Sequence, residues 1–129
     1  MSATLICKPI QIHFKFEDED LKDLKPFCKL KIGRSSVESS RTKCDGIQAE
    51  WAEPLKLAIK PDEDTAKLSV KHDRRGRDKK LGKVKIDLVK LQSSKKMTQW
   101  FHLTNRSGDV TGEILVELEY VPDSSNSFK

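Results

Sequence analysis

The sequence predicts an all-β fold, an eight-stranded antiparallel β-sandwich, and three observations lead to this fold class. Apolar residues alternate with polar ones along most of the chain, which is typical of strands with one buried and one solvated face. The alternating segments are short and are separated by acidic, Gly-, Ser- or Pro-containing connections, as in antiparallel sandwiches. No segment carries a long helical stripe of apolar residues. We therefore expect under a tenth of the chain in helix.

The first four strands are predicted in the N-terminal half of the chain. Residues 10–16 place Ile and Phe at every second position, and residues 28–32 do the same with Cys, Leu and Ile. A shorter strand is predicted at 41–44, and residues 55–59 alternate again with Leu, Leu and Ile. Because successive side chains of a strand point to opposite faces, each of these segments has one apolar face for a core.

The last four strands are predicted at 68–70, 84–88, 100–103 and 114–120, from the same alternation of Leu, Val, Ile or aromatic residues with polar ones. Between two of them, residues 87–91 are predicted to form a short helical turn. The C-terminal half therefore repeats the strand-and-connection pattern of the first half.

A chain of 129 residues is long enough for one domain and its core, and we assign residues 1–121 to that domain. Residues 122–129, of which three are Ser, are predicted to form a frayed tail. The three cysteines are an odd number without CxxC spacing, so we expect Cys7, Cys28 and Cys44 to be free thiols in a cytoplasmic protein.

Charge and motifs limit the class of function. A net charge of +5 favours an anionic partner, which could be acidic lipid, nucleic acid or acidic protein. Aromatic residues make up only 6% of the chain, so a nucleic-acid partner that stacks its bases on exposed rings is disfavoured. No phosphate-binding Gly loop, GxSxG or HExxH motif is present, and we expect neither an enzyme nor a cofactor. No apolar run spans a bilayer, so membrane contact would be peripheral.

Five segments in order resemble the C2 domain family, over roughly residues 8–121. The family's Asp-Pro-Tyr/Phe-Val-Lys-Leu motif is similar to the segment 25–33, and its Trp-Asn-Glu segment is similar to 51–53. Its Leu-Gly-x-Val-x-Ile strand resembles 81–86. The remaining likeness lies in 68–70, 100–103 and 112–118. The resemblance implies two four-stranded sheets with functional loops gathered at one end.

The resemblance also implies where calcium would bind, because the family's calcium site uses five acidic positions on two loops. These positions fall on Glu19, Lys25, Lys71, Asp73 and Lys79 in this sequence. Calcium needs 6–8 oxygen ligands, and a lysine offers none. We therefore expect calcium-independent behaviour. An alternative register that recruits the acidic residues of 17–23 would leave a weak calcium site.

One basic cluster is predicted on a sheet face. Lys29 and Lys31 are two residues apart on one strand, and Arg41 and Lys43 are two apart on the next predicted strand. Residues two apart share a face, and a hairpin would bring the two pairs together. In the C2 family a lysine-rich patch on two such strands binds phosphoinositides, and these four residues resemble it. The alternative is an ordinary polar sheet face.

A second basic cluster is predicted in the third loop, over 71–80, where six of ten residues are Lys or Arg. Arg74, Arg75 and Arg77 carry guanidinium groups that suit phosphate oxygens. The alternative is a solvated loop of a basic protein. Together with the first cluster, these residues predict a module that attaches peripherally to acidic, phosphoinositide-containing membrane. A protein-docking module without a lipid role is the main alternative.

Overall fold

The computed structural model of the chain describes residues 3–15, 26–39, 48–51, 53–74 and 77–122, with the backbone alone described at 48–49, 72–74 and 77–80. In chain order, its elements are β1 (Ala3–Phe14), β2 (Pro26–Ile32), β3 (Ser35–Glu38), β4 (Gln48–Glu50), β5 (Leu55–Ile59), β6 (Thr65–Arg74), β7 (Arg77–Asp87), α1 (Leu88–Ser94), β8 (Lys96–Thr104) and β9 (Val110–Pro122).

The strands form two antiparallel layers. One has the order β3-β2-β6-β7, and the other has the order β8-β9-β1, with β4 and β5 both pairing with β1. A single described pair, Lys83 with Thr104, joins β7 to β8. The strands β2 and β3 contact β5 across the interior. The predicted all-β antiparallel sandwich is therefore confirmed, with one short helix among the described residues.

Seven of the eight predicted strands correspond to β1, β2 and β5 to β9. The predicted strand 41–44 lies outside the described residues, and the short strands β3 and β4 were not predicted. The strand β9 ends at Pro122, and residues 123–129 lie outside the described part of the chain.

The strand β1 begins at Ala3, seven residues earlier than the predicted start, and a bulge divides it into two parts. Its register against β9 shifts between Pro9 and Gln11. Before the bulge Leu5 and Cys7 are buried, whereas after it Ile12 and Phe14 are buried. One extra residue moves every later side chain to the other face, so the buried positions change from odd to even numbers. A search for one unbroken alternation finds only the second part.

The core is filled by alternate residues of both layers. Its fully buried members include Leu30 and Leu68 from one layer and Ile114 and Leu118 from the other. Trp51 is also buried, whereas Trp100 lies on β8 with 41% of its surface exposed.

The cysteines Cys7 and Cys28 are free and buried, which confirms the prediction for these two residues; Cys44 lies outside the described residues. Burial raises the pKa of the Cys7 thiol to about 12. Burial, reinforced by the neighbouring Cys7, raises the pKa of Cys28 well above its ordinary value. Both groups therefore stay protonated as packed apolar side chains.

The helix α1 confirms the predicted turn at 87–91. The Asp87 carboxylate caps it by accepting hydrogen bonds from the backbone N–H of Val89 at 3.0 Å and of Lys90 at 3.2 Å. Leu91 is buried beneath it. The helix ends where Lys95 takes a φ of 69° and donates its N–H to the Leu91 carbonyl at 2.7 Å. Among the described residues, no helix is long and apolar enough to cross a membrane.

Candidate anion-binding face

The outer face of the layer β3-β2-β6-β7 carries rows of lysines because three strands place lysine at matching positions. On β2, Lys29 and Lys31 alternate with the buried residues Cys28, Leu30 and Ile32. In the same way, Lys67 on β6 precedes the buried Leu68. The side chains that face away from the core on these strands are therefore largely lysines.

The strand register places these lysines side by side. Lys31 pairs with Lys67, and Lys67 pairs in turn with Lys85, so three lysines form one row across three neighbouring strands. Neighbouring strands lie about 4.8 Å apart, so the row is about 10 Å long between the outer Cα atoms. A parallel row contains Lys29, Ser69 and Lys83, about 7 Å further along the strands.

A sixth lysine extends the face toward one end of the sheet. Lys71 pairs with Phe27 at an outward position of β6. Phe27 is fully buried, although it is two residues from Lys29 and therefore lies on the same side of β2. Lys31, Lys67 and Lys85 are exposed, and the other three lysines are partly buried. We call these residues the lysine face: Lys29, Lys31, Lys67, Lys71, Lys83 and Lys85.

Carboxylates lie only at the border of the lysine face within the described residues. Glu38 on β3 pairs with Lys29, and Ser36 pairs with Lys31. At the other end Asp87 is engaged in capping α1. No lysine of the face forms an ion pair with a described residue. Directly opposed like charges destabilise a sheet, so this arrangement favours an external anion that lies across the rows.

The outer face of the other layer is different, because its lysines and glutamates alternate between strands. Lys96 on β8 contacts Glu117 on β9, with the Lys Nζ 3.0 Å from the Glu Oε1. Lys96 also pairs in register with Glu119, and Lys8 on β1 pairs with Glu117. Rows of lysines with carboxylates only at their border are therefore a property of one side of the sandwich in its described part.

Two of the predicted site residues, Lys29 and Lys31, lie on one outward face as the sequence predicted. Arg41 and Lys43 lie outside the described residues. The hairpin partner of β2 differs from the prediction, because β3 pairs with it through the two-residue turn 33–34. Gly33 in this turn has a φ of 60°, the conformation that a two-residue hairpin turn requires at its first position. Gly33 was therefore the residue in the sequence that indicated a hairpin turn directly after β2, before the predicted strand 41–44.

Lys67, Lys83 and Lys85 were not among the site residues predicted from the sequence. Each alternates with a buried residue, so its outward direction could have been inferred. The lysines that lie beside it on neighbouring strands could not have been inferred, because β2 and β6 are joined through more than thirty residues and their register depends on the whole fold.

The predicted third loop, 71–80, is a two-stranded ribbon along most of its length. Its pairs continue from Lys71 with Lys80 to Arg74 with Arg77, which leaves 75–76 between the strands. Backbone pairing continues there although the apolar alternation stops. Arg74 and Arg77 are opposed in register, whereas Arg75 lies outside the described residues.

The calcium positions remain predictions. Glu19, Lys25 and the acidic segment 17–23 lie outside the described residues, and the side chains of Asp73 and Lys79 are likewise undescribed. In the part of the chain that the structure describes, no group of three His, Cys, Asp or Glu residues is arranged to hold a metal ion.

Comparison with known proteins gives one family and a set of similar folds. The family model described as "C2 domain" matches residues 5–103. A C2 domain of plant Extended Synaptotagmin 1 has a TM-score of 0.75 at 19% identity, covering 93% of this chain and 95% of that one. A structure containing two C2 domains of Extended-Synaptotagmin 2 gives 0.75 at 17% identity, covering 96% of this chain and 44% of that one. A further structure, described as that of a C2 domain, gives 0.69 at 15% identity, covering 92% and 98%. No curated protein sequence matches the chain.

Proposed function

The chain belongs to the C2 domain family, and from that premise we propose that it is a calcium-independent, non-enzymatic module that attaches peripherally to acidic, phosphoinositide-containing membranes through the lysine face. The observation that carries the proposal is the row of Lys31, Lys67 and Lys85, three lysines aligned on adjacent strands with no described carboxylate between them.

The geometry of the lysine face suits lipid phosphates. Two rows about 7 Å apart, with about 5 Å between strands, carry ammonium groups on flexible stems on one outward side of the sheet. An open, outward-facing surface of this kind suits a layer of headgroups better than a single enclosed ligand. No exposed aromatic side chain lies on this face among the described residues, so base stacking has no platform here.

The magnitude supports reversible recruitment. A lysine near an anionic leaflet contributes about 1 kcal/mol, so six would contribute roughly 6 kcal/mol, or about four powers of ten in partitioning. This attraction acts between exposed charges and falls steeply as salt shortens the screening length. The predicted residues Arg74, Arg75 and Arg77 would add their charges to this attraction.

The experiment is vesicle sedimentation without calcium. Wild type should sediment with vesicles containing phosphatidylserine and a phosphoinositide, and not with neutral vesicles. The triple variant Lys31→Ala, Lys67→Ala and Lys85→Ala should lose most of this binding, about a hundredfold in partitioning, since three charges are removed.

The matched control removes three exposed lysines elsewhere, Lys56, Lys60 and Lys90, and has the same net charge as the triple variant. The control should retain most of the binding if the lysine face acts as a surface. Equal losses in the two variants would mean that net charge alone attracts the protein. A wild type that never sediments would leave protein docking as the function.

A further inference from the structure

We propose that the free edge of β8 is a dimerisation edge, on which a second copy of this chain adds its own β8 in antiparallel orientation about a two-fold axis at Gln99. The proposal is independent of lipid binding. It rests on the pairing, the charge pattern and the exposure of this one strand.

Among the described residues, no strand pairs with the second edge of β8 along nearly its whole length. Its residues Lys96 to Thr104 pair with β9 on one side. On the other side, Thr104 is the one residue paired with β7 in the described structure. Between Lys96 and Leu103, every second residue therefore directs its backbone N–H and C=O away from β9, where another strand could bind them.

The middle of β8 lacks the features that normally block an open edge. Charged residues and prolines protect edge strands, but 97–101 reads Met-Thr-Gln-Trp-Phe and contains neither. Two other edges of the described sheets are protected: β3 is four residues long and contains Glu38, and β5 carries Lys56 between Pro54 and Pro61. The central part of β8 is the exception among these strands.

The side chains of this segment are incompletely covered. Trp100 is 41% exposed on the outer side. Met97 and Phe101 point toward the core but are only partly buried, and Gln99 between them is exposed even though it shares their strand parity. A strand added beside β8 would cover apolar surface on both sides of the sheet.

A second copy fits the edge because the strand is complementary to itself. With the axis at Gln99, Met97 opposes Phe101 of the other copy, and Thr98 opposes Trp100. Apolar and aromatic–β-branched pairs of this kind stabilise antiparallel strands, and the symmetry makes each pair occur twice. Lys96 opposes His102 rather than another lysine, so no like-charge pair of permanent cations forms along the edge.

The symmetry has a consequence for the lysine face. The local two-fold axis between antiparallel strands stands perpendicular to the sheet, so both copies would keep the same side uppermost. The two lysine faces would then point in the same direction. A dimer would engage a planar surface with both faces at once, which raises the overall affinity without any new contact to lipid.

The contact is small beside the 1,200–2,000 Å² typical of stable complexes, so a dissociation constant of roughly 100 µM is expected. Sedimentation equilibrium of the wild type, without lipid, should show a monomer–dimer equilibrium up to about 500 µM. Gln99→Lys and Gln99→Glu each place like charges at the axis and should weaken association about tenfold. An equimolar mixture of the two variants should associate at least as strongly as the wild type.

The control is Ala58→Lys, which adds the same charge to an exposed position on the edge strand β5. It should associate like the wild type. Monomeric wild type at about 500 µM overturns the proposal and leaves the edge to a strand of another protein. Weakening by Ala58→Lys but not by the Gln99 variants, or a mixture that fails to restore association, also overturns it. Binding to vesicles by a strictly monomeric protein would leave the proposed function intact.

Discussion

Lys67 lies between two other lysines, and we expect its replacement by Gln to stabilise the isolated protein. The pairs Lys31 with Lys67 and Lys67 with Lys85 place like charges on directly opposed residues. Directly opposed pairs change stability by roughly 0.2–1 kcal/mol each, and exposure to solvent keeps such pairs near the lower end. Removing both repulsions should therefore raise the free energy of unfolding by about 0.5–1 kcal/mol, or the melting midpoint by about 2–4 °C.

The assay is thermal unfolding of Lys67→Gln at low salt and at about 1 M NaCl, where the screening length is about 3 Å. The gain in stability should largely disappear at high salt. The control is Lys56→Gln, since Lys56 is also exposed on a strand but opposes Ile6 rather than a lysine. The reasoning is refuted if Lys67→Gln gives no more stability than the control at low salt, or if its gain is unchanged at high salt.

Two further predictions concern metal and thiol chemistry. Millimolar calcium should leave the melting midpoint unchanged, since only a ligand that binds the native state raises it. A rise that a chelator reverses would contradict the expectation that the lysines at the predicted calcium positions prevent calcium binding. Cys7 and Cys28 should react with a thiol reagent only as fast as the protein opens, because buried thiols stay protonated. The raised pKa of Cys7 also sets the direction of a pH effect on stability. The folded state keeps a proton that the unfolded thiol loses above pH 9.0, so the free energy of unfolding should fall as the pH rises from 9.0 toward about 12. Rapid labelling of both thiols at neutral pH in the folded protein would contradict this account.

Local patterns in the sequence were sufficient to predict most strands. The spacing of Leu68 and Val70, or of Val84 and Ile86, reports directly which face is buried, because side-chain direction follows from strand geometry alone. The same logic placed Lys29 and Lys31 on one face. The capped turn at 87–91 was also recognisable, because its start and stop depend on neighbouring residues.

Features that depend on distant pairing were missed. The start of β1 was hidden because the bulge at Pro9–Gln11 reverses the alternation. The row through Lys31, Lys67 and Lys85 exists only once three strands are in register, and no local pattern fixes that register. The exposure of Trp100 follows from the open edge of β8, which is likewise a property of the assembled sheets.

Amide NMR of the protein on acidic, phosphoinositide-containing nanodiscs that carry a spin-labelled lipid tests directly whether the lysine face contacts the membrane. Paramagnetic broadening depends steeply on distance from the bilayer surface, so it reports which side of the sandwich faces the lipid. We expect strong broadening at Lys31, Lys67 and Lys85, and little at Thr98 and Glu117 on the opposite side. Strong broadening at Thr98 and Glu117 with none on the lysine face would contradict this expectation.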